Sequence, residues 1–263
     1  MSGTASRSTI AITHVPSPRM QEGQRTYVDR SAVVDFDRAQ RQHVRYRQLL
    51  SECGAEVRLL DVNANLPDAV FVEDTALVLD EVAVMMPMGT ATRRPEPPGI
   101  EAELRRHREI QRITLPASIE GGDVVRVGGM LLVGLSSRTN TAGVDRLAEV
   151  GRRYGYEVSP VRMRDCLHLK SGCTALPDDR LLVNPAWIEE DDLEGFNLVP
   201  VPPDEPWGGD VLTIGEHVCM AVAFPRTAEL VAGLGFDVRT IDLSEFAKVE
   251  GGVTCMSLVF ERT

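Results

Sequence analysis

Five stretches of the chain share one form, and that recurrence limits the possible folds more than any other feature. "FVEDTALVLDEVAVMMP", "IEGGDVVRVGGMLLVGL", "LHLKSGCTALPDDRLLVNP", "WGGDVLTIGEHVCMAV" and "VEGGVTCMSLVF" each open on a polar or Gly-rich step, run into a short β-rich segment and often turn into a second one. They open near residues 73, 120, 170, 209 and 251, about 40 to 50 residues apart, which is the spacing of a repeat architecture. Identity between the copies is weak, so the repeat is one of structure.

The intervals between copies read as helices. The candidates are "PPGIEAELRRHREI", "TNTAGVDRLAEVGRRYGY", "IEEDDLEGF" and "PRTAELVAGLG". In the second, Thr139 or Asn140 can cap the start, and Val144, Leu147, Ala148 and Val150 recur at helical spacing. The last copy lacks its helix because the chain ends. The N-terminal part supplies what is missing: a strand at "TIAITHV" and a helix at "FDRAQRQHVRYRQLLSECG" that stops at Gly54. Five strand–helix units whose last is completed by the first predict an α/β ring with cyclic pseudo-symmetry. Such closure removes sheet edges and places loops around a central mouth. Residues 1–9 are expected to be a flexible N-terminus and residues 10–263 a single domain.

Composition narrows the partners. Of 263 residues, 39 are acidic and 28 basic, and the net charge of −11 argues against nucleic acid or an anionic membrane as a partner. A small cationic substrate is welcome, and a monomer or homodimer is expected. No run approaches the roughly 18 apolar residues of a membrane-spanning helix, and no apolar signal segment follows "MSGTASRST", so a cytoplasmic location is expected. Cysteines 53, 166, 173, 219 and 255 are scattered without a CxxC pair, which argues against a disulfide framework or a structural zinc site. Histidines 14, 43, 107, 168 and 217 form no HxxxH or HExxH motif, so no metal is expected.

Several residues have two local interpretations each. Asp68, Glu73 and Asp74 crowd three carboxylates beside an apolar strand, which is costly unless a cation sits among them; the alternative is a solvated strand opening. Glu120 precedes a Gly pair at a position corresponding to Glu73, while Asp123 reads as a turn residue. His168 between Leu167 and Leu169, and Cys255 in its apolar run, both read locally as core. The ring changes the balance. Asp74, Glu120, His168 and Cys255 begin equivalent strands and can converge on one axis, with Gly251 and Gly252 leaving backbone space for a substrate. Arg93, Arg94 and Arg138 fall in loops past second strands; Arg94 reads as a surface residue, and the other two can take a carboxylate bidentately. A pocket with carboxylates deep and arginines at its rim suits a zwitterionic amino acid with a cationic tail.

Together "FVEDTA", "RRPE", "EGGDV…VGLSSRTN", "LHLKS" and "GGVTCMSLVF" resemble the dimethylarginine dimethylaminohydrolase family, of the amidinotransferase and arginine deiminase (pentein) superfamily. The resemblance implies a five-bladed α/β propeller, hydrolysis of Nω-methylated arginine to citrulline and a methylamine, and no cofactor. It places the nucleophile on Cys255, the general acid and base on His168 and a supporting carboxylate on Glu120. It also places substrate contacts on Asp68, Glu73, Asp74, Arg93, Arg138, Gln24 and Val249. A guanidinium carbon is a poor electrophile, so a thiolate and carboxylates that localise the charge are the chemistry it needs. Deiminases of unsubstituted arginine resemble HxD at the histidine; here the motif is His168-Leu169-Lys170. Losing that acceptor fits a methylated nitrogen. A leucine commonly follows the lid glycine in the family, whereas Gln24 follows Gly23 here, a departure that bears on water exclusion and on the N-substituent. Sibling enzymes of the scaffold (a deiminase, an amidinotransferase, another alkylguanidine hydrolase) are the alternative. A non-catalytic binding propeller would have lost the Cys, His and Glu set.

Overall fold

Each repeat folds as a hairpin followed by a helical or looped crossover to a third, parallel strand. The structure, a computed structural model, describes residues 8–262. The chain starts with β1 (Thr9–His14), α1 (Phe36–Glu52) and β2 (Glu56–Leu60). The first full unit is β3 (Ala76–Val78), β4 (Val82–Met85), α2 (Pro97–Leu104) and β5 (Glu109–Arg112). The second is β6 (Val124–Val127), β7 (Met130–Leu135), α3 (Thr141–Arg152) and β8 (Glu157–Arg162). The third opens on a one-turn helix, α4 (Leu169–Gly172), then β9 (Cys173–Ala175), β10 (Leu181–Val183) and β11 (Leu198–Pro200). The fourth is β12 (Val211–Ile214), β13 (His217–Ala221), α5 (Pro225–Gly233) and β14 (Asp237–Ile241). After α6 (Ser244–Ala247), β15 (Ser257–Glu261) pairs antiparallel with β1, Ile12 facing Leu258, and β1 pairs parallel with β2. Every sheet thus has three strands with its middle strand antiparallel to the first and parallel to the third, and the fifth sheet is made from both ends of the chain. This is the five-bladed α/β propeller.

The core is divided into wedges between blades, for a reason visible in the middle strands. Side chains alternate faces along a strand, and here both faces are buried. Val82 and Val84 join one apolar cluster with Leu131 and Val133, while Ala83 and Met85 join another with Ile10 and Ile12. Leu132 turns instead toward Leu181 and Val183, Leu182 toward Val218 and Met220, and Cys219 toward Ala11. Each middle strand serves two neighbours, so the ring is held by contacts among all five units.

Helix boundaries follow local chemistry. The Asp35 carboxylate accepts from Arg38 N to start α1, Gly54 takes the left-handed conformation past its end, and Asn140 rather than Thr139 caps α3 by accepting from Gly143 N. The helix expected in "IEEDDLEGF" is only a turn of 3₁₀ helix, Glu190–Leu193. It buries Leu193 alone, so there is no apolar face to dock a longer helix. Thr9, placed by sequence in a flexible segment, pairs with Glu261; residues 1–7 lie outside the described residues. Among the described residues no helix is long and apolar enough to cross a membrane.

Candidate active site

The turns ahead of the first strands carry the chemistry and also tie the blades together. A tight helical turn precedes β3 (Val72–Thr75), β6 (Gly121–Asp123) and β12 (Pro206–Gly209), α4 precedes β9, and residues 253–256 form a turn before β15. Such turns leave N–H groups without internal partners, and aspartates of the preceding unit take them. Asp74 Oδ1 accepts from Gly122 N at 3.1 Å, Asp123 Oδ1 from Leu169 N at 3.0 Å and Asp210 Oδ1 from Thr254 N at 3.3 Å. Between the third and fourth units the Thr174 hydroxyl donates to Gly209 O at 2.7 Å and accepts from Val211 N at 3.3 Å. Glu73 N closes the circle on Cys255 O at 3.2 Å. The expected convergence is therefore present, with one correction: Asp74, Glu120, His168 and Cys255 lie on or just before the turns, and the strands begin later, at Ala76, Val124, Cys173 and Ser257.

Glu120 and His168 form a buried pair. Glu120 is 0% exposed; its Oε1 accepts from Gly89 N at 2.9 Å and its Oε2 from His168 Nε2 at 2.8 Å. His168 Nδ1 lies 3.6 Å from Asp74 Oδ1. A Cβ on Gly122 would stand 2.7 Å from both of those atoms, so glycine is what lets them approach. Burial alone lowers the His168 pKa, but Asp74, Asp123 and Glu120 outweigh it and raise it to about 9. Glu120 moves the other way: against its burial, the hydrogen bond and charge of His168, with Arg93 and Arg138 behind, hold it below the usual carboxylate range. His168 is an imidazolium at neutral pH, the form that can protonate a leaving amine. Asp123 is no simple turn residue. Fully buried, it accepts from the Ser136 and Thr139 hydroxyls at 2.6 Å each, and Thr139 Oγ1 accepts from Glu120 N at 3.2 Å, so one carboxylate positions both members of the pair.

Cys255 is partly covered and faces two cavities. Burial raises its thiol pKa well above the ordinary value, and Asp210, Glu73 and Asp74 add to the effect. The thiol is thereby held in its neutral form at neutral pH, and a cation bound beside it would favour the thiolate. Alkylation by neutral chloroacetamide is thus expected to climb through pH 9 without a plateau, whereas cationic chloroacetamidine reacts at least about tenfold faster at pH 7.5. Mass measurement of the Cys255 peptide reads both rates, and a plateau below pH 8 would show a preformed thiolate instead.

The cavity on one side of Cys255 and His168 is narrow, about 20 Å³, and is lined by Gln24, Asp68, Asp74, Arg93, Arg138 and Val249. The arginines do not stand at a rim. Arg93 is buried, its guanidinium bound to Asp74 Oδ2 at 2.5 Å, Glu96 Oε2 at 2.8 Å and Phe71 O at 2.9 Å, because an interior cation has to be matched. Arg138, also buried, has an ion pair with Glu120 at 3.6 Å and is the freer of the two; Arg94 is exposed. Gln24 donates its backbone N–H to Asp68 Oδ1 at 3.0 Å and its side-chain amide to Thr92 Oγ1 at 3.1 Å. It lines this narrow cavity and not the wider one. Glu73 faces the second cavity, paired with Lys170 Nζ at 2.7 Å.

Two residues of weight escaped the sequence: Glu96, the partner of Arg93, and Asp210. A signal for Asp210 existed, because Gly-Gly-Asp-Val occurs at residues 121–124 and again at 208–211. Its carboxyl is raised to about 7, by burial first and then by Glu73. It also fills the space expected to be open beside Gly252: a Cβ there would overlap the Asp210 carboxylate, and one on Gly251 would come 2.5 Å from Phe71. Asp74, Glu120 and His168 offer ligand atoms within 4.8 Å of one another. A metal ion there would have to displace the His168 proton and sit against the Arg93 cation.

Comparison with known proteins agrees with this geometry. Residues 17–176 match the sequence model of a family described as N,N dimethylarginine dimethylhydrolase, eukaryotic. A Streptomyces coelicolor protein named N(G),N(G)-dimethylarginine dimethylaminohydrolase is 38% identical over 251 residues, covering 94% of this chain and 95% of its own. One of the same name from Pseudomonas aeruginosa is 34% identical over 228 residues, covering 86% and 90%. The solved structure of a mutant of the Pseudomonas aeruginosa enzyme complexed with citrulline superposes with a TM-score of 0.89 at 32% identity, over 95% of this chain and 98% of that one.

Proposed function

The chain belongs to the dimethylarginine dimethylaminohydrolase family, and from that membership we propose that it hydrolyses Nω-methylated arginine to citrulline and a methylamine through a covalent intermediate on Cys255, with residues 10–263 as one catalytic domain. The observation that carries this is the meeting, at one narrow cavity, of Cys255, the His168–Glu120 pair and the charged residues Asp68, Asp74, Arg93 and Arg138.

The substrate's α-carboxylate goes to Arg138, with Arg93 behind it, and Asp68 and Val249 border its amino acid portion, which requires this cavity to widen from about 20 Å³ as the substrate enters. Its guanidinium adds a further cation beside Asp74 and Glu73, which already hold Arg93 and Lys170, with Glu120 behind His168. Cys255 then loses its proton to solvent, and Sγ adds to the guanidinium carbon held in line with it. His168 gives its Nδ1 proton to the methylated nitrogen, the C–N bond breaks and an S-alkylthiouronium remains. Neutral His168 takes a proton from water, the hydroxide adds to the same carbon, and the C–S bond breaks to release the ureido product. Glu120 stabilises the imidazolium at each stage. Lys170 supports the substrate class, since its ammonium, held by Glu73, stands where an HxD enzyme offers a carboxylate to an unsubstituted nitrogen.

Mono-, symmetric and asymmetric dimethylarginine and arginine, each followed by ureido product and identified amine, test this proposal. Citrulline with equimolar methylamine or dimethylamine is expected; faster ammonia release from arginine would make the enzyme a deiminase.

A further inference from the structure

Cys255 and His168 border a second, larger cavity on the side away from Arg93 and Arg138. Its volume is about 180 Å³, against about 20 Å³ for the amino acid side. We propose that this cavity receives the substituent on the departing nitrogen, and that the chain accepts guanidino amino acids whose Nω-substituent is apolar and much larger than methyl, up to an aromatic ring. This rests on the hydrolase assignment and specifies its substrate class.

The placement follows from connectivity. A guanidinium carbon in line with Cys255, whose side chain enters from the Arg138 side, has to point another nitrogen away from that side, and His168 borders both spaces. The walls are mostly apolar, with Val28, Trp207, Phe224 and Leu243 beside the charged Lys170, Asp242 and Glu250, and Trp207 is braced edge-on against Trp187 with centroids 4.7 Å apart. An apolar cavity of about 150 Å³ is enough for benzene, so two methyl groups leave most of this one unfilled. Asp210 and Glu73 line this cavity together with Cys255, and the nitrogen departs as the neutral amine, which takes up a proton in solvent. Ala223 and Ala247 at the outer end are exposed, so the cavity opens to solvent and the amine has a way out. The balance is unchanged from the methylated case: Sγ–C forms, C–NHR breaks, His168 supplies the proton that makes RNH₂, and water regenerates the thiolate with citrulline as the common product.

The test is turnover of Nω-methyl-, Nω-propyl- and Nω-benzyl-L-arginine, read as citrulline and confirmed by the amine. Propyl and benzyl substrates are expected within tenfold of methyl in kcat/KM. Ala247→Phe, at an exposed position, is expected to lower kcat/KM for the benzyl substrate at least tenfold while changing the methyl substrate less than twofold. Ala223→Phe is a second obstruction with the same expected pattern. A wild-type loss above a hundredfold from methyl to both larger groups overturns the proposal and leaves the hydrolase assignment standing. Equal effects of both variants on all three substrates also overturn it. Absence of citrulline from every substrate overturns the hydrolase assignment itself.

Discussion

Cys255→Ser is expected to lower citrulline formation from methylated arginine by about 10⁴-fold or more, with the fold intact. The serine hydroxyl is far less acidic than even a raised thiol, and the three carboxylates that oppose thiolate formation oppose an alkoxide more strongly. Structure is spared because what this residue gives the fold is its backbone: Cys255 O accepts from Glu73 N and closes the circle of turns. A thermal midpoint within about 3 °C of wild type, together with retained citrulline binding, would show that only chemistry was lost. A Cys255→Ser enzyme with near-normal turnover would remove the covalent mechanism.

His168→Gly is expected to lower kcat by about 10² to 10⁴-fold, and Glu120→Gln by a smaller factor. The double variant is expected to be no worse than His168→Gly alone, because Glu120 acts through the imidazolium it holds at 2.8 Å, and residues that act as a unit are not additive. Losses that multiply in the double variant would give Glu120 a separate role. Stability supplies an independent readout. The His168 pKa is raised from 6.5 to about 9 in the fold, so the stabilisation from its ion pairs is complete below about pH 6.5 and is lost as the pH rises through about 9. Glu120→Gln removes part of that interaction, so the fall in melting temperature between pH 6 and pH 9.5 should be shallower in the variant, with Asp74 and Asp123 preserving the remainder.

The residues that were legible beforehand had their signal along the chain. The apolar β-rich runs "VAVMM" and "MLLVGL", Asn140 before a helix and Gly54 after one are local patterns read by local physics. "IEEDDLEGF" misled because its charges repeat without an apolar face to bury. Asp123 and Asp210 were missed or underread because their function is to accept N–H groups from the next blade, at Leu169 and Thr254, and no local pattern encodes a partner on another blade. Arg93 was placed at a rim for a related reason: three of its partners, Asp74, Glu96 and Phe71, surround it only once the turn at Ala91–Arg93 packs inward.

The sequence by itself determined the number of units, the closure of the last by the first, and the set Cys255, His168, Glu120 and Asp74, because periodicity and residue chemistry are properties of the chain order. The tertiary structure alone decided which charges are spent on one another, which side of Cys255 is narrow and which is wide, and that the thiol waits in its neutral form. Those depend on distance and burial, and carboxylates from three blades come to bear on one sulfur and one imidazole only when the ring has closed.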